Sequence, residues 1–252
     1  LPLTASPQQA ALGLERWHKA AKLSGDAGIE AFTDSVLGDP AGRRLVEAIF
    51  GNSPFLTHAA VSDPGFTRKL LIEGPDSLYN KVIEGLPHCR KDGIAISELA
   101  RSLRIAKQRI SLLVAVADIT GVWLLERVTN ALSDFAEATL GCAVQHVLKD
   151  AAGKGAFKLA HPRQPEKDSG FVVIGMGKLG ARELNYSSDI DLIVLYDYEK
   201  IHTDSPEALQ NHMVRLTRNL VHLIDERTTD GYVFRTDLRL RPDPSATPLA
   251  MS

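Results

Sequence analysis

The first 150 residues carry the apolar spacing of amphipathic helices. Between residues 97 and 119, apolar side chains recur at intervals of three, four and seven positions, which predicts one long helix with an apolar face. A second long helix is predicted from residue 122 to about residue 149, after the turn at Thr120-Gly121. Four basic side chains of the first long helix are expected on its other faces: Arg101, Arg104, Lys107 and Arg109.

Shorter helices before these two are indicated by the residues that open them. An aspartate or serine followed by proline occurs at three positions: Asp39-Pro40, Ser53-Pro54 and Asp63-Pro64. The aspartate or serine side chain accepts a hydrogen bond from a backbone N–H of the first helical turn. Proline suits the first helical position because its φ is already helical and it has no N–H to satisfy. Each pair therefore predicts the start of a helix.

The pattern changes after residue 150, where a loop rich in glycine and proline begins. Short apolar runs at residues 171–174 and 191–196 predict two buried strands, and the spacing over residues 206–225 predicts a helix. A third strand is predicted over residues 231–240, because apolar and polar residues alternate there from Phe234 onward.

These elements predict an α+β fold. We expect a helical region over residues 1–150 and a catalytic core with a small mixed sheet over residues 151–252. The chain starts at Leu1 without a methionine and ends at Met251-Ser252 after proline-rich sequence. We therefore expect it to be part of a longer protein, with the core cut short on its C-terminal side.

Composition and charge exclude several classes of function. The 252 residues are 44% hydrophobic and 24% charged, with a net charge of −2, so there is no overall basic footprint for nucleic acid. No apolar run approaches the roughly 20 residues that cross a bilayer. The first residues lack a charged segment followed by an apolar core, so we expect that the chain is not a secretory precursor. Two cysteines, Cys89 and Cys142, are too few for a disulfide scaffold. We expect a cytoplasmic protein that binds neither membranes nor nucleic acid.

Two aspartates stand at the mouth of the second strand. The string Ser187-Ser188-Asp189-Ile190-Asp191 runs directly into the apolar stretch. Residues two apart on a strand project to the same side, with Cα atoms roughly 6.5–7 Å apart. Both carboxylates could then bind one Mg²⁺ ion or a pair of metal ions. An aspartate can also cap a helix or close a turn, but the strand-like residues after Asp191 fit capping poorly.

A glycine-rich turn precedes the aspartates. Gly175, Gly177 and Gly180 match the G-x-G-x-x-G fingerprint of dinucleotide-binding sites. Only about ten residues separate this turn from the next strand, which is marginal for a crossover helix with its return loop. A buried parallel strand also has no reason to begin with two aspartates. We interpret the turn instead as one that brings backbone N–H groups and Lys178 close to a phosphate.

A third aspartate, Asp237, lies on the predicted third strand. Alternation places it on one face with Arg235, Arg239 and Arg241. A face of four charged residues is either solvated or functional. In the functional interpretation, Asp237 joins the metal site while arginines bind phosphate oxygens in bidentate fashion.

The segment that contains the glycine turn and the two aspartates resembles a known family. Residues 175–192 read Gly-Met-Gly-Lys-Leu-Gly-Ala-Arg-Glu-Leu-Asn-Tyr-Ser-Ser-Asp-Ile-Asp-Leu. They closely resemble the signature of bacterial glutamine synthetase adenylyltransferase/adenylyl-removing enzymes, which carry two nucleotidyltransferase domains of the DNA polymerase β superfamily. The string recurs in both halves of these proteins. Residues 50–56 and 230–242 look like the N-terminal, adenylyl-removing half. The usual Gly-Gly or Gly-Ser doublet of the superfamily is Gly177-Lys178 here.

The resemblance implies a bifunctional, nitrogen-regulating nucleotidyltransferase. Its expected reaction is the phosphorolysis of adenylyl-tyrosine on glutamine synthetase, with Mg²⁺ as cofactor. The residues that match the family's catalytic and metal-binding positions are Asp189, Asp191 and Asp237. Those expected to bind the nucleotide and phosphate are Gly175, Gly177, Lys178, Ser187, Ser188, Arg235 and Arg239. The expected partners are glutamine synthetase, a PII-type signalling protein, ADP or ATP, and phosphate.

Two alternatives stay open. The same aspartates and phosphate-binding residues also suit the ATP-dependent adenylylation of this tyrosine. A different class of function is a catalytically silent docking or regulatory fragment, in which the long helices bind glutamine synthetase or a PII-type protein.

Overall fold

The computed structural model describes residues 1–86 and 94–252, so Cys89 lies outside the described residues. The described part combines many helices with one three-stranded sheet, which confirms the α+β prediction. The helices are α1 (Pro7–Leu23), α2 (Ala27–Gly38), α3 (Pro40–Asn52), α4 (Pro54–Ser62), α5 (Pro64–Glu73), α6 (Pro75–Gly85), α7 (Ile96–Ile119), α8 (Leu125–Gly153), α9 (Gly177–Gly180) and α10 (Leu209–Asp225). The strands are β1 (Phe171–Met176), β2 (Ile190–Tyr196) and β3 (Thr236–Asp237).

The predicted helix starts are confirmed. Asp39 Oδ2 accepts the Gly42 N–H at 2.7 Å, and Asp63 Oδ1 accepts the Phe66 N–H at 2.9 Å. Ser53 caps α4 in the same way, and proline follows each of these caps. The second long helix begins at Leu125 rather than at residue 122, and a short 3₁₀ turn at Pro206–Ala208 leads into α10. None of the helices in the described part of the chain has the length and apolar character needed to cross a bilayer.

The chain divides into two compact units. Unit 1 contains Leu1–Val82 and Lys107–Val128, and unit 2 contains Ile83–Ala106 and Thr129–Ser252. In unit 1 the fully buried Trp17 ring meets Phe50 edge-on, with ring centroids 6.1 Å apart. The predicted division of the protein into domains at residue 150 stays a prediction.

Unit 2 holds the sheet, in the order β1-β2-β3. β1 and β2 are antiparallel, and Phe171 pairs with Tyr196. β2 and β3 are parallel, and Asp191 pairs with Asp237. The sheet is therefore mixed.

The third strand is much shorter than predicted, so its extent over residues 231–240 is wrong. The N–H groups of Val233 and Phe234 donate to the Ile224 carbonyl at the end of α10 rather than to a strand. Beyond Asp237, that aspartate's side chain accepts the Arg239 N–H at 2.8 Å, which turns the backbone out of the sheet. Arg239 and Arg241 therefore do not share a strand face with Asp237.

Two basic residues of α7 are also placed differently from the prediction. Arg104 is 1% exposed and Lys107 is 7% exposed, although both were expected on faces of the helix other than its apolar face. The periodicity of apolar residues cannot reveal this burial, because Arg104 is accommodated by hydrogen bonds to main-chain carbonyls far along the chain.

Candidate active site

The glycine turn connects two antiparallel strands. β1 runs directly into α9, a single helical turn, and the chain returns as β2 beside β1. A dinucleotide-binding βαβ unit requires two parallel strands joined by a crossover helix. The antiparallel pairing therefore excludes that type of site, as the short spacing predicted. The interpretation of the turn as a phosphate-binding element stays a prediction.

Each glycine of the turn occupies a position that a larger residue would disturb. Gly177 has a φ of +53°, and a Cβ atom there would lie 2.6 Å from Asp191 Oδ2. A Cβ on Gly180 would lie 2.6 Å from the Gly175 carbonyl oxygen, and one on Gly175 would lie 2.9 Å from Leu179. Gly175 and Gly180 thus let α9 fold tightly against β1, while Gly177 gives the Asp191 carboxylate room.

Asp191 and Asp237 lie on one face of the sheet. They are register partners across the parallel pair, and such partners project to the same side. Asp189 stands immediately before β2, two positions from Asp191. The structure thus brings Asp237 from a distant part of the sequence to the pair of aspartates.

Arginines neutralise two of the three carboxylates. Arg235 is ion-paired through Nε with Asp189, and its Nη2 donates to the Ser187 carbonyl at 2.7 Å. Arg239 Nε donates to both carboxylate oxygens of Asp237, at 3.0 and 2.9 Å. The hydrogen bond from Arg239 lowers the pKa of Asp237. The pKa of Arg239 is raised, chiefly by Asp237 and also by Asp189 and Asp191, so its charge faces all three carboxylates.

The donor set suits a hard divalent cation. Carboxylate oxygens are the ligands that Mg²⁺ prefers, and three of them share this region of the sheet. Within residues 1–86 and 94–252, however, no three acidic, histidine or cysteine side chains are grouped around a metal position. Asp189 and Asp237 are instead ion-paired with Arg235 and Arg239. The assignment of the three aspartates as metal ligands therefore stays a prediction.

The expected phosphate-binding residues surround the aspartates. Lys178 lies on α9 directly after Gly177, with an exposed side chain. Ser188 Oγ donates to Asn185 Oδ1 at 2.6 Å, and Ser187 is exposed beside it. Their roles toward phosphate stay predictions.

A further residue, Arg182, was missed by sequence reasoning. It has a φ of +59°, which is uncommon for a residue other than glycine. Its guanidinium is ion-paired with Asp134 and, at 3.1 Å, with Glu137, both on α8. The backbone two residues later also binds α8, because the Leu184 N–H donates to Ser133 Oγ. These contacts fasten the turn that carries Lys178 to α8, and no local sequence signal links residues so far apart.

Comparison with known proteins identifies the family. The family model described as glutamate-ammonia ligase adenylyltransferase matches residues 43–252, which include all three aspartates. The chain belongs to the glutamate-ammonia ligase adenylyltransferase family.

Relatives that this chain matches include proteins named bifunctional glutamine synthetase adenylyltransferase/adenylyl-removing enzyme. The protein of Brucella suis biovar 1 is 42% identical over 218 residues, which cover 86% of this chain and 22% of the relative. That of Agrobacterium fabrum is 40% identical over 218 residues, which cover 85% and 22%. That of Rhodopseudomonas palustris is 38% identical over 243 residues, which cover 96% and 24%. The chain thus spans less than a quarter of the length of these relatives.

Proposed function

We propose that this chain carries an adenylyl-removing site that acts on glutamine synthetase. The observation that carries the proposal is the placement of Asp191 in register with Asp237, on a sheet face beside Gly177. Membership of the family supports nucleotidyl transfer as the reaction class. The resemblance of residues 50–56 and 230–242 to the N-terminal half of such enzymes supports the adenylyl-removing direction.

The proposed reaction is a phosphorolysis. An oxygen of inorganic phosphate attacks the phosphorus of the AMP group that is esterified to a tyrosine. The bond from that phosphorus to the tyrosine oxygen breaks, and the tyrosine oxygen takes up a proton. The products are ADP and unmodified glutamine synthetase. Mg²⁺, held by Asp189, Asp191 and Asp237, would neutralise charge on the transferred phosphoryl group.

The arginines have a second role in this proposal. Arg235 and Arg239 balance the charge of the aspartates in the present structure. A cation held by the aspartates would neutralise them in place of the arginines. We infer that both guanidinium groups would then bind phosphate oxygens, for which their planar fork is suited. Lys178 adds a point charge, Ser187 and Ser188 add hydroxyl donors, and Gly175 and Gly177 allow backbone N–H groups to approach the phosphate.

The proposed setting is the cytoplasm, with glutamine synthetase as the macromolecular substrate and a PII-type signalling protein as a regulatory partner. The nucleotide ligands are ADP and ATP. These partners rest on the resemblance to the family and not on contacts in the structure.

The direction of the reaction is tested by supplying two substrate mixtures. Adenylylated glutamine synthetase with phosphate and Mg²⁺ is expected to yield ADP, and unmodified glutamine synthetase with ATP is expected to stay unmodified. Modification only in the ATP mixture would contradict the proposed direction and favour adenylylation. Calorimetry with Mg²⁺ and ADP addresses the docking alternative, because a purely docking fragment binds no nucleotide.

A further inference from the structure

Arg104 is a buried arginine surrounded by main-chain carbonyls. It lies on α7, within unit 2, and is 1% exposed. Its Nε donates to the Gly231 carbonyl at 2.9 Å, and its Nη2 donates to the Glu226 carbonyl at 2.5 Å. Its Nη1 donates to Leu223 at 3.3 Å and to Ala100, one turn earlier on α7, at 2.9 Å. One guanidinium thus serves four acceptors.

Three of these acceptors belong to a single connection. Leu223 lies in the last turn of α10, and Glu226 is the residue that ends that helix. The last carbonyls of a helix have no partner within it, so a buried helix end needs an external donor. Gly231 closes the turn that follows, in which Thr228 and Gly231 exchange two backbone hydrogen bonds. Arg104 therefore binds both ends of the connection that begins at α10.

The same connection leads into the candidate active site. Phe234 is buried against Phe135, with ring centroids 5.9 Å apart. The next carbonyl, that of Arg235, accepts the Ile190 N–H at 2.9 Å and so aligns the chain with β2. Asp237 follows directly in β3. The position of Asp237 relative to Asp191 thus depends on where this connection is anchored.

We propose that Arg104 is a positioning residue for the aspartate site. By fixing the segment between α10 and β3, it holds Arg235 and Asp237 in register with β2. In this role Arg104 acts through the backbone carbonyls that it binds. The inference rests on the proposed function only where metal binding is used as a readout.

The test replaces Arg104 by Met and by Lys, with Arg101→Met as the matched control. Arg101 lies on the same helix, its side chain is 70% exposed, and its Nε is ion-paired with Asp230 at 3.7 Å. The control removes the same charge near the same turn without removing a buried donor. Lysine keeps the charge but lacks the planar fork, so we expect Arg104→Lys to fall between wild type and Arg104→Met.

Hydrogen exchange of the folded proteins is the first readout. We expect Arg104→Met to speed exchange about tenfold or more in residues 226–240, with α8 and β1 unchanged. The Arg101→Met protein should match wild type. Exchange in residues 226–240 equal to wild type would overturn the inference. A uniform rise that includes α8 and β1 would also overturn it, because it would show a general structural role. If Arg104→Met fails to fold, the same comparison is decided with Arg104→Lys.

Mn²⁺ binding is the second readout, with the metal alone as probe. We expect affinity to fall about 10-fold in Arg104→Met and to be unchanged in Arg101→Met. Unchanged affinity in Arg104→Met, where wild type binds Mn²⁺, would overturn the positioning role. If wild type itself binds no Mn²⁺, the proposed metal site fails, while the exchange measurement still decides the inference about Arg104.

Discussion

Replacing Gly177 by Ala should lower turnover at the candidate site far more than it lowers the stability of the fold. The new Cβ would lie 2.6 Å from Asp191 Oδ2, well inside the 3.4 Å at which ordinary van der Waals contact begins. The conflicting atom is the end of a short side chain, so the carboxylate can rotate away at little cost in free energy. It must nevertheless leave its place by roughly 1 Å, a displacement that typically costs about 10²-fold in rate.

The free energy of unfolding should respond much less. Gly177 has a φ of +53°, and an alanine in this left-handed region costs about 1–2 kcal/mol. Gly155 provides the matched control, because its φ is +78° and a Cβ there would have no atom within 4 Å. Gly155→Ala therefore carries comparable backbone strain without disturbing Asp191.

Urea unfolding measures the change in stability. Phosphate-dependent release of ADP from adenylylated glutamine synthetase measures the change in turnover. We expect both variants to lose about 1–2 kcal/mol of stability. Only Gly177→Ala should lose about 10²-fold in turnover. Turnover of Gly177→Ala equal to that of Gly155→Ala would refute the claim that the glycine serves Asp191.

Two further predictions concern buried and paired charges. Burial lowers the pKa of Lys107 to about 7. Because the unfolded lysine holds this proton up to about pH 10.4, the free energy of unfolding should rise with pH between these two values, by roughly 5 kcal/mol at most. Lys107→Met should flatten that rise in urea unfolding at pH 6–10, and an unchanged slope would contradict it. Arg239→Met frees Asp237 from its guanidinium partner. We expect this variant to bind Mn²⁺ more tightly in calorimetry and to catalyse phosphorolysis more slowly. Weaker Mn²⁺ binding would contradict the proposal that a metal ion replaces Arg239 as the partner of Asp237.

Local rules account for what could be predicted from the sequence. The helix starts at Asp39, Ser53 and Asp63 depend on contacts within one turn, and all three are confirmed. The short spacing after Gly180 likewise predicted that β1 and β2 are not joined as a dinucleotide-binding unit. The three-aspartate constellation followed from residue type and spacing, and the structure places Asp191 and Asp237 side by side.

The remaining features depend on contacts that are distant in sequence. Alternation over residues 231–240 suggested one long strand, but Asp237 turns the chain through its own side chain. The spacing of α7 predicted that Arg104 lies away from the apolar face of the helix. Its burial depends on carbonyls at the end of α10 and in the connection to β3, which accept its hydrogen bonds only in the folded protein. Arg182 pairs with α8 residues across a long loop. Hydrophobic periodicity predicts which face of a helix or strand is buried. It does not predict which carbonyl or carboxylate a charged side chain will bind.

Turnover by Asp191→Asn shows whether the paired carboxylates of β2 and β3 form the reaction site. Asp191 makes no ion pair among the described residues, so the isosteric amide should leave the fold intact while removing a carboxylate from the proposed metal site. The measurement is Mg²⁺- and phosphate-dependent formation of ADP from adenylylated glutamine synthetase, with circular dichroism to confirm folding. We expect that wild type forms ADP and that the folded variant does not. Near wild-type formation of ADP by Asp191→Asn would contradict it.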